Sequence, residues 1–340
     1  YCLLFRGYRM KERSDYGAVI AFLFLLSFLL RVHNWFHFKV PDEATIAAWV
    51  KDLFTTPFPV NSYPPFFLYL LYAVVWLVAM VAEWLGIVTH AAQLVTQSGG
   101  VMVIQKTGQI LSALIGSLQV LVVWRIGRDF FSRNTGLIAA LLIAVNPLLI
   151  LDSHINKSDI LLSMLAGMAL YFTFRFDRSE KATDIFYAAF FVGLATAAKY
   201  QGILLVGSSL LLLFKYPIRR EALRLFKLGL LILSGVVFGF LAGSPNWLVH
   251  PLEQCREGYR IIFYHYVEFN MHGYDSATVS FHQYFVDFCR SFGVWIMLAA
   301  AAFLLFWWKG FRREKAILFT PVLIYIGLLG SRPIYAHRFG

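Results

Sequence analysis

Two adjacent carboxylates, Asp42 and Glu43, follow the first apolar run of the chain, where that run is expected to leave a membrane. Acidic residues at a membrane interface are costly unless they hold a cation, a proton or a polar substrate. A carboxylate in this setting can accept the proton of a hydroxyl group, so we predict that Asp42 is a general base. The structural alternative is that Asp42 only caps the following helix. Glu43 either faces solvent or orients its neighbour.

A second polar segment, residues 152–159, lies between two apolar runs and reads Asp-Ser-His-Ile-Asn-Lys-Ser-Asp. Asp159 is predicted to be a second acid that faces Asp42. His154 and Lys157 are predicted to contact phosphate oxygens, because a cationic group stabilises a departing phosphate. The alternative is a purely structural loop in which Ser158 or Asp159 caps the next helix.

Lys199 and several aromatic-rich segments supply the remaining polar groups. Lys199 lies between two short apolar runs. It either contacts an anion such as a lipid phosphate or extends toward the lipid headgroups. Tyr63, His265 and His272 lie beside aromatic residues that can stack on a sugar and hydrogen-bond to it. The same composition also suits a helix at the membrane interface.

No motif for a bound cofactor is present in the sequence: we find no dinucleotide fingerprint, P-loop or zinc motif. No metal is therefore assigned. If a divalent metal binds, its ligands are expected to be the three carboxylates named above, Asp42, Glu43 and Asp159.

The composition identifies the elements that must position these groups. Of the 340 residues, 59% are hydrophobic and only 14% are charged, whereas soluble domains average about 45–50% and about 25%. Several apolar runs approach the roughly 17–25 residues that cross a bilayer. The sequence therefore predicts an all-α polytopic membrane protein. The net charge of +11 lies in short clusters between apolar runs, a topology signal that argues against a nucleic-acid partner.

Positive-inside bias predicts that the N-terminus and five basic clusters face the cytoplasm. Three apolar runs separate the first two clusters (Tyr16–Leu30, Phe66–Val88 and Thr107–Trp124), although parity requires an even number of crossings. Phe66–Val88 starts at a Pro-Pro step and carries Glu83, so we predict an interfacial or re-entrant helix there rather than an ordinary span.

This choice predicts a single transmembrane domain over residues 1–340 with about nine crossings. Residues 41–105 form an outer loop with juxtamembrane helices, and residues 245–290 form a second long outer loop. Later crossings include Leu137–Leu151 and Ile203–Phe214. The last crossing, Ile317–Gly330, leads to the final residues on the outer side, so further helices or a C-terminal domain are expected beyond residue 340.

Several motifs in a fixed order resemble the GT-C superfamily of membrane glycosyltransferases. The most similar members are the protein O-mannosyltransferases and their bacterial relatives, including the lipid A aminoarabinose transferase. The resemblance is carried by the early acidic pair, Tyr63-Pro64-Pro65, the segment Gly108–Gly116 leading to Arg125–Phe131, the segment Gly193–Tyr200, and the loop with His265 and His272.

The resemblance implies a GT-C-type helical bundle with a seven-helix core and two juxtamembrane helices in the first outer loop. It implies a polyprenyl-phosphate-linked sugar as donor and an inverting transfer. Asp42 matches the catalytic acidic position with Glu43 completing the pair, Asp159 matches a second outer acid, and Lys199 matches a lysine near the donor phosphate. One departure is that Ser153-His154 stands where relatives often have an arginine.

We therefore expect a glycosyltransferase in a bacterial inner membrane that moves a sugar to an acceptor hydroxyl on the outer, periplasmic face. Its partners are membrane lipid, the lipid-linked donor and an acceptor that the sequence does not identify. Two alternatives stay open. One is a non-catalytic GT-C-like subunit of a larger membrane complex. The other is a polytopic transporter, whose site is expected near the bilayer midplane.

Overall fold

The computed structural model describes residues 2–33, 41–56, 58–61, 63–96 and 99–263. Within these ranges the chain is helical and contains no strand, as the composition predicts. The helices are α1 (Cys2–Val32), α2 (Pro41–Asp52), α3 (Phe66–Trp84), α4 (Gln93–Thr96), α5 (Gly100–Phe130), α6 (Arg133–Ala144), α7 (Pro147–Ser153), α8 (Asp159–Ser179), α9 (Ala182–Ala198), α10 (Val206–Leu211), α11 (Ile218–Gly243), α12 (Asn246–Val249) and α13 (Pro251–Phe263).

Helix α5 is the central element, because α1, α2, α3, α4, α6, α7 and α8 all pack against it. Its 31 residues extend over roughly 46 Å at 1.5 Å per residue. One side of α5 carries small and polar buried residues, including Gly108, Gln109, Ser112 and Gly116. Small residues let neighbouring helices approach closely where lipid provides no hydrophobic drive for association. The polar segments described below reach α5 along this side.

The bundle has two chemically distinct ends. At one end, Arg178 donates to the backbone carbonyls of Asp129 and Phe130, at 2.7 and 2.6 Å, and Arg224 pairs with Glu180 at 2.7 Å. We call this the basic end. At the other end, α9 finishes beside the start of α8, where Lys199 pairs with Asp159, and we call this the site end. Within the described part of the chain, Arg178 and Arg224 thus lie at one end of the bundle, and the pair of Lys199 and Asp159 lies at the other.

The predicted single span Leu137–Leu151 is in fact broken into α6 and α7, which meet at an angle of 54°. Asn146 caps α7 by accepting hydrogen bonds from the backbone N–H groups of Leu148 and Leu149, at 3.0 and 3.2 Å. Pro147 follows as the first residue of α7, and proline cannot donate the N–H group that would continue α6. The run 203–214 also differs from a simple span, since it contains two 3-10 helices around α10.

Helix α3 corresponds to Phe66–Val88, the segment that the count of membrane crossings predicts to be interfacial. Its first residue, Phe66, packs beside Gly243, the last residue of α11. Its last turn leads through Ala91, whose N–H group donates to Glu83 at 2.8 Å, to α4, which packs against the start of α5. Both ends of α3 therefore lie toward the site end. This geometry is compatible with an interfacial helix, which stays a prediction.

Several described helices are suited to a bilayer. By length and composition, four of them are long and apolar enough to cross, namely α3, α5, α8 and residues Glu221–Gly243 of α11, and the bent pair α6–α7 makes up to five. Apolar side chains such as Leu77, Phe226 and Phe238 are exposed on their outer surfaces. The protein is a multi-pass integral membrane protein.

Candidate functional site

Glu43 joins helix α2 to the rest of the site. Its Oε1 atom accepts a hydrogen bond from Gln109 Nε2 of α5 at 3.0 Å and another from the backbone N–H group of Asn156 at 2.9 Å. Glu43 is only 3% exposed, so the alternative in which it faces solvent is wrong. The two bonds hold helix α2 against α5 and against the segment that follows α7.

The orientation of the Gln109 carboxamide is fixed from its other side. Lys106, one turn earlier in α5, donates to Gln109 Oε1 at 3.0 Å. The amide nitrogen of Gln109 must therefore point toward Glu43. Gln109 and Asn156 are both buried, and in a low-dielectric interior such a satisfied polar chain rigidifies its surroundings. We refer to Lys106, Gln109, Glu43 and the Asn156 N–H group as the Glu43 network.

Asp159 and Lys199 form an ion pair at the site end. Asp159 is the first residue of α8, and Lys199 directly follows the last residue of α9. Ser158 stands at the cap position of α8 but makes no side-chain cap bond, so the purely capping role considered for Ser158 is not realised. More than a third of each paired side chain is exposed. A phosphate group can therefore reach Lys199 from outside the bundle.

Two further charged residues complete this cluster. The charges of Asp159, Lys157 and Lys199 all act on the carboxyl group of Asp152, at the end of α7. Residues 152–159 and Lys199 thus bring two acids and two lysines together. A cluster with alternating charges can hold a phosphate on its lysines and orient a polar acceptor on its acids.

His154 differs from the lysines because it is buried. Its side chain is 7% exposed and lies beside the backbone of Leu30 and His33 at the end of α1. Burial lowers the pKa of His154 below its usual value, and the positive charge of Arg31 acts in the same direction. Burial thus disfavours the cationic form of His154, and Lys157 and Lys199 supply the positive charge of the cluster.

Arg31 is a buried residue that sequence reasoning missed. It lies at the end of α1 with 1% exposure, and its Nε atom donates to Ser153 Oγ at 3.2 Å. The only signal in the sequence is a single arginine at the end of an apolar run, a pattern that also describes an ordinary snorkelling side chain. Arg31 therefore contacts the segment 152–159 through Ser153.

The other predicted site residues are only partly described. The backbone of Asp42 belongs to α2, where it lies in the first turn beside Glu43, but its side chain is outside the described part of the structure, as are His265 and His272. The ring of Tyr63 is half-exposed and lies 5.8 Å from that of Trp49. Among the described residues, no three histidine, cysteine or acidic side chains are grouped closely enough to hold a metal ion.

Comparisons with known proteins place this geometry in context. Residues 92–248 match the family described as dolichyl-phosphate-mannose-protein mannosyltransferase. A comparison with curated proteins finds no match. Among solved structures, the chain is similar to the archaeal oligosaccharyltransferase AglB from Archaeoglobus fulgidus, determined in complex with an inhibitory peptide and a dolichol-phosphate.

That similarity has a TM-score of 0.49 at 14% sequence identity, and it covers 92% of this chain but 39% of the AglB chain. The present chain therefore spans well under half the length of that protein. The family match includes α5 to α11, and with them Gln109, Asp159 and Lys199. The family match covers slightly less than half of the chain, and within that part the chain is similar to the mannosyltransferases that the family describes.

Proposed function

We propose that this chain is an inverting glycosyltransferase that moves a sugar from a polyprenyl-phosphate donor to an acceptor hydroxyl group at the site end. One observation carries the proposal: the bond from the Asn156 N–H group to Glu43 joins the acidic pair to the segment that contains Asp159. This bond supports a single polar region for Glu43 and Asp159, with Asp42 next to Glu43 in α2. The family match supports sugar transfer from a lipid-linked donor in general.

In the proposed reaction, Asp42 accepts the proton of the acceptor hydroxyl group as its oxygen attacks the anomeric carbon. The bond between the anomeric carbon and the phosphate oxygen breaks on the opposite face, and the polyprenyl phosphate leaves with the electron pair. The configuration of the anomeric carbon is therefore inverted. Lys199 and Lys157 stabilise the charge on the departing phosphate, and Glu43 keeps Asp42 in place through α2.

The ion pair between Lys199 and Asp159 suits a phosphate site in which the lysine exchanges one anionic partner for another. The Asp159 carboxylate neutralises Lys199 until a phosphate takes over that contact. Asp159 is then released to accept a hydrogen bond from the sugar or from the acceptor. The prenyl tail of the donor lies along the apolar exposed surfaces of the bundle.

The location of the polar groups favours this proposal over transport. A transporter site lies near the bilayer midplane, between repeats. Here Glu43, Asp159 and Lys199 are at the site end, and α5 continues for about twenty residues beyond Gln109 toward the basic end. This location supports a reaction at the edge of the bundle, where we expect the headgroup of a lipid-linked donor.

The test is a transfer assay in membranes with radiolabelled polyprenyl-phosphate sugars. Wild-type protein is compared with the Asp42→Asn variant, and binding of the labelled donor is measured in parallel. We expect transfer to be lost in the variant while donor binding is retained, and the product to have the inverted anomeric configuration. Unchanged turnover in the Asp42→Asn variant would remove Asp42 from the mechanism. Retention of configuration would exclude the single-displacement route.

A further inference from the structure

At the break between α6 and α7, the backbone carbonyl groups of Ile143 and Ala144 lack their helical partners. In a continuous helix, Ile143 would accept from residue 147, but Pro147 has no N–H group. Ala144 would accept from Leu148, whose N–H group is instead directed to Asn146 Oδ1 at 3.0 Å. Buried backbone carbonyls are nearly always paired, so another group must satisfy this pair.

The guanidinium of Arg31 satisfies both. Its NH2 atom donates to the carbonyl of Ile143 and its NH1 atom to that of Ala144, each at 3.1 Å. The remaining bonds anchor the group, since NH1 also donates to Ser27, at 3.2 Å to the carbonyl and 2.5 Å to the hydroxyl, and Nε donates to Ser153. Arg31 thus bridges the last turn of α1, the end of α6 and the last residue of α7.

Helix α5 leaves room for this arrangement at a glycine. A Cβ atom at Gly116 would lie 2.6 Å from Ser153 Oγ and 2.7 Å from Arg31 Nε, closer than real Cβ contacts. Arg31, its acceptors and Gly116 together form what we call the Arg31 clasp. Only a planar group with several divergent donors can reach both carbonyls and Ser153 at once, so a lysine is not equivalent here.

The acceptors of Arg31 indicate its role. Among the described residues, all the hydrogen-bond acceptors of Arg31 are neutral, and none is a carboxylate. A buried guanidinium held only by neutral acceptors does not gain from charge neutralisation. Its bonds instead connect the end of α6 to the last residue of α7, across the bend between them. Three residues after Ser153, the Asn156 N–H group meets Glu43.

We propose that Arg31 is a positioning residue that sets the bend between α6 and α7 and so places segment 152–159 against α2. Arg31 reaches Ser153 on one side of the buried His154, and Glu43 reaches Asn156 on the other. The catalytic part of this proposal rests on the proposed function, because the segment carries Asp159. The structural part, that Arg31 holds the bend, does not.

The experiment compares the variants Arg31→Met and Arg31→Lys with the double variant Arg31→Met with Pro147→Ala. Alanine at position 147 restores an N–H group that can bond to the carbonyl of Ile143, so it relieves the unpaired carbonyl without rebuilding the clasp. Each purified protein is assayed for thermal stability, for hydrogen exchange in residues 148–158 and for the kinetics of sugar transfer. Arg224→Met, which removes an exposed arginine at the basic end, is the matched control.

We expect Arg31→Met to lower the thermal midpoint, to accelerate exchange in 148–158 and to reduce kcat on the order of 100-fold, the loss typical of a misplacement of about 1 Å. The KM for the donor should change little, because Arg31 touches no substrate. Arg31→Lys should recover only part of kcat. The double variant should regain stability but not kcat, and the control should keep both.

Recovery of both stability and kcat in the double variant would show that Arg31 only satisfies a carbonyl, and would overturn the proposal. So would normal exchange in Arg31→Met, or a loss expressed mainly in the donor KM. If the wild-type protein transfers no sugar from any donor, the proposed function fails, while the exchange data still decide whether Arg31 holds the bend.

Discussion

From the Glu43 network we predict how much stability the protein loses when α2 is no longer held by Glu43. In the Glu43→Ala variant, Gln109 Nε2 and the Asn156 N–H group lose a shared, charged acceptor in a buried site. A hydrogen bond to a charged group contributes about 1.5–3 kcal/mol, so losing two of them should cost roughly 3–6 kcal/mol. This is a large part of the roughly 5–15 kcal/mol that stabilises a typical domain.

Glu43→Gln should be milder. The carboxamide oxygen can still accept from Gln109 and Asn156, but as a neutral acceptor, so we expect a loss of about 2 kcal/mol. Transfer activity should fall in both variants, because α2 carries Asp42 directly beside Glu43. The measurements are thermal unfolding of the purified protein in detergent and the sugar-transfer assay.

A charge swap separates a positioning role of Glu43 from a catalytic one. In the double variant Glu43→Gln with Gln109→Glu, the carboxylate moves to α5, within reach of Lys106, which lies 3.0 Å from the Gln109 side chain. The Nε2 group of the new glutamine at position 43 can donate to the carboxylate at position 109. Its Oε1 atom reaches the Asn156 N–H group only if the carboxamide shifts, because a single atom of Glu43 makes both bonds in the wild-type protein. We therefore expect partial recovery of both stability and transfer relative to Glu43→Gln.

Two results would refute this reasoning. An unchanged thermal midpoint in Glu43→Ala would mean that these bonds do not hold α2. Recovery of stability without recovery of transfer in the charge swap would mean that the Glu43 carboxylate itself contacts the substrate, as the resemblance to the catalytic pair implies. Gln109→Ala is a useful companion, because it removes one donor and leaves the Glu43 carboxylate in place.

Three further predictions concern single positions. Lys199→Met should weaken donor binding about 10- to 100-fold, the equivalent of one charge-assisted bond to phosphate, whereas Lys227→Met at the basic end should not; equal effects in a donor-binding assay would remove Lys199 from the phosphate site. Gly116→Ala should cost about 1–3 kcal/mol through overpacking in the Arg31 clasp, while Gly229→Ala, which meets nothing within 4 Å, should be neutral or stabilising in thermal unfolding. Because burial lowers the pKa of His154 in the folded protein, the unfolded chain takes up the proton first and stability should fall as the pH drops below about 6.5; a His154→Phe variant with an equally steep pH dependence between pH 7 and 5 would contradict this.

Composition and periodicity were sufficient to predict the helical architecture. The run lengths and low charge predict an all-α membrane bundle, and α5 appears where the apolar run Thr107–Trp124 was identified, although the helix is longer and extends over Gly100–Phe130. Local signals are adequate here because a helix satisfies its own backbone within one segment, and its lipid-facing residues need only be apolar. The order of the polar segments also pointed to the superfamily that the family comparison supports.

The partners of the polar residues depended on tertiary structure. Glu43 meets a side chain 66 residues away and a backbone N–H group 113 residues away, and no local pattern encodes such pairings. For the same reason the solvent-facing alternative for Glu43 was wrong. Lys199 and Asp159 were both identified in the sequence, but their direct pairing emerged only when α8 and α9 were packed side by side.

Arg31 and Pro147 show most clearly which features the sequence predicts and which depend on tertiary structure. The sequence displays a proline within an apolar run and an arginine at the end of another, yet the run was predicted as one span. A proline in a membrane helix is tolerated when neighbouring groups satisfy the freed carbonyls, and the group that does so here comes from residue 31, more than 110 residues earlier. The sequence determined which residues need a partner, whereas only the folded bundle decided which partner each of them has.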